Sequence, residues 1–75
     1  MNIDTTTPQA RVAQQFMDHK GLGHLRPVEI EELDDQPCWY FYYVLPEGDL
    51  ELEVAWEGGR WETTVTTFTL DSRLA

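Results

Sequence analysis

Hydrophobic positions recur at two different periods along this chain, and the change from one to the other separates a helical segment from a run of strands. After Thr7-Pro8, residues Ala10, Val12, Ala13, Phe16 and Met17 return at spacings of three and four. That is one apolar stripe on a helix of about three turns. Thr7 suits the N-cap, and Pro8 suits the first helical position, where a missing N–H removes nothing. Gln9, Gln14, Gln15 and Asp18 take the other side, and Gly21 and Gly23 offer the positive φ that ends a helix near Lys20. His19 and Lys20 occupy the last turn, where positive charge favours the dipole.

From Pro27 onward the period becomes two. Residues 28–33 alternate around Val28-Glu29-Ile30-Glu31 and predict a first strand. Asp34-Asp35-Gln36-Pro37 is turn chemistry. Residues 38–45 follow as an apolar run with no polar break, Cys38-Trp39-Tyr40-Phe41-Tyr42-Tyr43-Val44-Leu45, which reads as a central strand. Pro46-Glu47-Gly48-Asp49 signals another turn, residues 50–56 a third strand, and Gly58-Gly59 a two-residue hairpin. Residues 61–69, rich in Thr, predict the fourth strand. Residues 1–6 read as a flexible start and 71–75 as a short tail of one small domain spanning 1–75.

Short connections make sequential strands antiparallel neighbours, so the expected fold is α+β: an N-terminal helix on a four-stranded antiparallel meander of order 1-2-3-4. The alternative is a small, partly open barrel capped by the helix. The glycine hairpin pairs Trp56 with Trp61, Val54 with Thr63 and Leu52 with Val65. A four-residue loop at 46–49 pairs Leu45 with Leu50, Tyr43 with Leu52 and Phe41 with Val54. The first turn pairs Leu33 with Cys38, which sets Ile30 against Phe41 and Val28 against Tyr43. With these registers one face collects Val28, Ile30, Trp39, Phe41, Tyr43, Leu45, Leu50, Leu52, Val54, Trp56, Trp61 and Val65. That face is the expected core, with the helix stripe as its cover.

The opposite face collects Glu29 and Glu31, then Tyr40 and Tyr42, then Glu51 and Glu53, then Thr64 and Thr66. Strand by strand it reads acid, tyrosine, acid, threonine. One reading is a solvated outer surface kept soluble by glutamates. The other is a docking surface, with Tyr40 and Tyr42 as rigid contact area and Glu29, Glu31, Glu51 and Glu53 selecting an Arg- or Lys-bearing partner. Glutamate is a poor strand former, and setting several together adds repulsion that a cationic partner relieves.

Charge sharpens this picture. Fourteen acids against five bases give a net charge of −9. The bases are scattered at Arg11, Lys20, Arg26, Arg60 and Arg73. Phosphate backbones reward clustered Lys and Arg, so no nucleic acid and no anionic membrane is expected as a partner. The aromatic run lacks the basic groove of a single-strand stacking platform. No charged-then-apolar leader is visible and no apolar run approaches the ~18 residues of a span, so a cytoplasmic protein is expected.

Catalytic and ligand motifs are weak. The single cysteine, Cys38, forms no internal disulfide. It sits among acids, which raise a thiol pKa, and reads as a small half-buried residue. Asp18, His19 and His24 match no recurring zinc spacing. Gly21-Leu22-Gly23 precedes a strand instead of opening a helix, so it fails the context of a phosphate loop. The acidic stretch 47–53 lacks a calcium-loop pattern. Trp56 and Trp61 read as a hairpin-stabilising pair. One helix and one sheet leave little room for a closed pocket, so an enzyme and a cofactor are not expected. The expected function is a small acidic interaction module or accessory subunit that docks a basic or mixed protein surface. The alternatives are an inhibitor that imitates nucleic acid with carboxylates, and a weak cation-binding protein. The first strand carries Glu29, Glu31 and Glu32, which discourages edge pairing there. The fourth strand is the more open edge, compatible with a strand-4 dimer.

Overall fold

The computed structural model describes residues 4–70, with the side chains of residues 69 and 70 left aside. The expected tail 71–75 and the first three residues lie outside the described residues. Helix α1 runs Pro8–His19, followed by strands β1 (Glu29–Glu32), β2 (Cys38–Leu45), β3 (Gly48–Glu57) and β4 (Arg60–Leu70). The strands form one antiparallel sheet in the order β1-β2-β3-β4. Its two ends do not pair with each other, so the sheet is open and the barrel alternative falls.

The helix forms where its ends are satisfied. Thr7 is extended, and its hydroxyl accepts from the Ala10 N–H at 3.2 Å. At the other end Gly21 takes φ +75°, the Leu22 N–H donates to the Met17 carbonyl at 2.8 Å, and the Gly21 N–H donates to that of Asp18 at 3.1 Å. This pair of bonds is a Schellman closure, and Leu22 then packs against the core as that motif favours. The stripe of Ala10, Ala13 and Met17 is buried against Phe41, Tyr43, Leu45, Leu50, Leu52 and Val54, with Val12, Phe16, Ile30, Trp39 and Trp61 around the margin. Phe41, Met17, Leu52 and Val54 are fully buried.

Two registers match the sequence-based pairing. Ile30 faces Phe41, and the Gly58-Gly59 hairpin pairs Trp56 with Trp61 and Leu52 with Val65. Both turn glycines have positive φ (+61° and +80°), the backbone that follows the right-handed twist of a tight hairpin. The third register differs. The β2–β3 connection is only Pro46-Glu47, so Leu45 pairs with Gly48, Tyr43 with Leu50, Phe41 with Leu52 and Trp39 with Val54. Gly48 and Asp49 belong to the strand. The slip from the expected pairing is two residues, an even number, and so leaves every side chain on its expected face.

A second difference is a bulge in β4. Leu52 pairs with Val65 but Glu51 pairs with Thr67, which leaves Thr66 as the extra residue. Three expected core residues are open instead: Val28 is 60% exposed, Trp56 45% and Val65 41%. A helix of 12 residues is about 18 Å long and covers the middle of the sheet, not its corners. Trp56 still meets Trp61 edge-on at 5.0 Å, and Trp61 meets Trp39 at 5.8 Å, so the tryptophans stack along one corner of the core face.

Candidate functional site: the tyrosine–carboxylate face

The face turned away from α1 is built by alternation along each strand. Cross-strand pairing aligns its residues into two rows. The first runs Glu29, Tyr42, Glu51, Thr67 and the second runs Glu31, Tyr40, Glu53, Thr64. The structure thus brings all six expected site residues onto one surface. Thr66, expected in the first row, is displaced by the bulge and Thr67 takes its place. The slipped β2–β3 register sets each tyrosine directly opposite a glutamate.

The phenols bond to the acids. Tyr40 Oη donates to Glu53 Oε2 at 2.8 Å, straight across the strand pair. Tyr42 Oη donates to Glu31 Oε1 at 3.2 Å, on the diagonal. Ionising either phenol would set a phenolate against a carboxylate. The bond to Glu53 leads in pushing Tyr40 up to about 12. Desolvation leads for Tyr42, followed by the neighbouring carboxylates of Glu51 and Glu31, and it too is pushed up to about 12. Both therefore remain donors at neutral pH. The bulged Thr66 adds a third donor, its hydroxyl reaching a side-chain oxygen of Glu51 in a short contact.

These bonds organise the carboxylates without neutralising them. Among the described residues the one ion pair is Arg60 Nε to Glu62 Oε1 at 2.7 Å, at the hairpin corner of the sheet. Among the described residues the four glutamates of the two rows have no ion-pair partner. Glu29 and Glu31 are exposed, while Tyr40, Tyr42, Glu51 and Glu53 are half-buried.

The rows end differently. At one end Cys38, opposite Ala55, is buried. Desolvation first, and then the charge of Glu53, push its thiol above its ordinary value, which keeps it protonated and unreactive. At the other end Val44 is exposed. There a shallow recess of about 300 Å³ is lined by Tyr42, Val44, Glu29, Asp49, Glu51 and Thr67 among others. Asp49 and Val44, which face each other across β2 and β3, extend the site beyond the residues expected from sequence. The signal for them was their alternation with Tyr42 and Glu51, hidden by assigning Asp49 to the loop.

Among the described residues no group of three His, Cys, Asp or Glu side chains converges as a metal site, and no helix is long and apolar enough to cross a membrane. His19 and His24 are both exposed. No protein-family model, curated protein or solved structure matches this chain.

Proposed function

We propose that the protein is a small acidic interaction module that docks a basic or mixed protein surface through the tyrosine–carboxylate face. The recess at its Val44 end carries this reading. Tyr42 and Val44 give it an apolar wall, and Glu29, Asp49 and Glu51 give it three carboxylates that have no ion-pair partner among the described residues. A Lys or Arg side chain has the complementary form, an aliphatic stem that packs on apolar surface and a charged head. The remaining rows supply a half-buried aromatic centre and an acidic surround. Such an arrangement lets tyrosines carry contact energy while glutamates steer the approach. Because the phenols already satisfy Glu53 and Glu31, the face is held in place before a partner arrives.

The test is an amide NMR titration with two peptides of equal charge, one presenting a single Arg between apolar residues and one presenting the same net charge as a terminal amine. Saturable shifts confined to residues around Tyr42, Val44 and Glu51, seen only with the Arg peptide, support the reading. Equal shifts spread over Asp34, Asp35 and Glu57 as well would show diffuse attraction to a chain of net charge −9 and would remove the recess as a site.

A further inference from the structure

The opposite side of the molecule carries a second cleft of contrary sign. It lies between α1 and the segment leading into β1, encloses about 410 Å³, and none of the nine described residues that line it is acidic. That is unexpected in a chain with fourteen acids and five bases. Arg11 and Arg26 both line it, so two of the five cations converge there. Neither is ion-paired among the described residues.

Each cation is placed by local structure. Arg11 rises from the first turns of α1, where its N–H is held by the Thr7 carbonyl at 3.0 Å. Arg26 Nη1 donates to the carbonyls of Gly23 at 2.9 Å and Leu25 at 3.1 Å, which pins the guanidinium beside the helix. Gln14 joins the two sides, donating to the same Gly23 carbonyl at 2.9 Å and lying 3.5 Å from Arg26 Nη1 through its own oxygen. Asp18 borders this set, accepting from Gln14 Nε2 at 3.0 Å and packing its carboxylate against Gly23, but it does not line the cleft.

Tyr43 and Phe41 line the cleft from the sheet. Tyr43 is 3% exposed, and among the described residues its hydroxyl has no carboxylate partner such as those of Tyr40 and Tyr42. Burial pushes it up to about 12, with the nearby charge of Arg26 pulling the other way, so it remains a donor. At the cleft wall it is a neutral O–H donor; among the described residues no buried side-chain polar atom is left without a partner.

We propose that this cleft binds a small organic anion, with a single carboxylate or phosphate head held by Arg11, Arg26 and the Tyr43 hydroxyl and a compact apolar body against Phe41 and Pro27. Guanidinium pairs suit both head groups because their planar forks match two oxygens at once. The volume lies at the lower end of the range for small-molecule sites. The net charge does not override this. The glutamate rows lie beyond the sheet, and at physiological ionic strength screening acts over about 8 Å. The cleft and the docking face share no lining residue except Tyr43, which borders both recesses.

The test is an amide NMR titration of the full chain with benzoate and with phenyl phosphate, each against neutral benzyl alcohol. Saturable shifts at residues of 10–15, 26–27 and 41–43 are expected from one or both anions, with Kd of about 1 mM or tighter. The tighter of the two identifies the head group. Arg11→Glu, at an exposed position, should weaken binding at least about tenfold with an unchanged unfolding midpoint. Tyr43→Phe, which keeps the ring, should weaken it by a smaller factor. The proposal is overturned if neither anion gives saturable shifts, if benzyl alcohol gives the same ones, or if Arg11→Glu leaves the anion affinity unchanged.

Discussion

On the side of the sheet facing α1, Phe41 and Leu52 lie directly opposite each other and are closed off from solvent. One residue further along the same two strands, Tyr42 and Glu51 also lie directly opposite each other, half-buried on the far side. Both pairs belong to one antiparallel ladder, so what separates the two faces is chiefly the side chains they carry. Fully burying a large apolar side chain contributes about 1.5–3 kcal/mol. A half-exposed hydrogen bond between phenol and carboxylate replaces bonds to water and contributes a net ~0.5–1.5 kcal/mol at most, and the neighbouring acids repel. One face therefore determines that the chain folds, and the other is free to vary without unfolding it. A surface that adds repulsion to a small domain invites a role beyond stability.

The strongest way to break this contrast is to truncate across it. Phe41→Ala should destabilise by about 3–5 kcal/mol and Leu52→Ala by about 2–5 kcal/mol, a large part of the stability of a small domain. Urea unfolding followed by tryptophan emission measures both. Similar losses from Glu51→Ala would mean that the two faces had been assigned the wrong way round.

Alkaline pH acts on both faces together. All three tyrosines are raised from 10 to about 12 in the folded chain. Between those values the unfolded chain has released protons that the folded chain still holds. Stability is therefore unaffected by the tyrosines below pH 10 and declines as pH rises toward 12. For buried Tyr43 the loss is on the order of 2–3 kcal/mol. Tyrosinate absorbance should rise near pH 12 in the native chain and near pH 10 in urea. A native titration at the ordinary value would remove the carboxylate contacts of Tyr40 and Tyr42.

The hairpin tip offers a smaller effect. Gly59 has φ +80° with open space around its missing Cβ, so Gly59→Ala meets no clash and only backbone strain, about 1–2 kcal/mol. An unchanged thermal midpoint would argue against a turn with both glycines at positive φ. Smallest of all, Glu29→Gln should fall within about ±0.5 kcal/mol, since the residue is exposed on an edge strand and its charge adds repulsion.

Much of this contrast was legible in the residues. The helix announced both its ends, Thr7-Pro8 at the start and Gly21 at the close, because those positions demand specific backbone chemistry. Gly58-Gly59 fixed its hairpin for the same reason. Pro46-Glu47-Gly48-Asp49 misled because all four residues favour turns, yet pairing across β2 and β3 takes in Gly48 and Asp49. The face assignment survived only because that slip was even. The bulge had a signal that strict alternation overlooked. Val65 and Phe68 lie three apart, so period two cannot set both on one face, and the extra residue at Thr66 reconciles them. The corners of the core were not legible, because the sequence does not say how far a short helix reaches across a long sheet. Nor was the cationic cleft, because Arg11 and Arg26 are distant along the chain and meet only where the loop after α1 folds back on Gln14.

The most direct test of the division between the two faces is one variant measured twice. Tyr40→Ala/Tyr42→Ala should unfold with a single transition and retain most of the wild-type stability, since both rings are half-buried on the outer face. A partner captured by the wild-type protein should then dissociate faster from the variant in surface kinetics, because packed aromatic area acts mainly on residence time. A folded variant that binds and releases that partner at wild-type rates would contradict the assignment of the outer face as the docking surface.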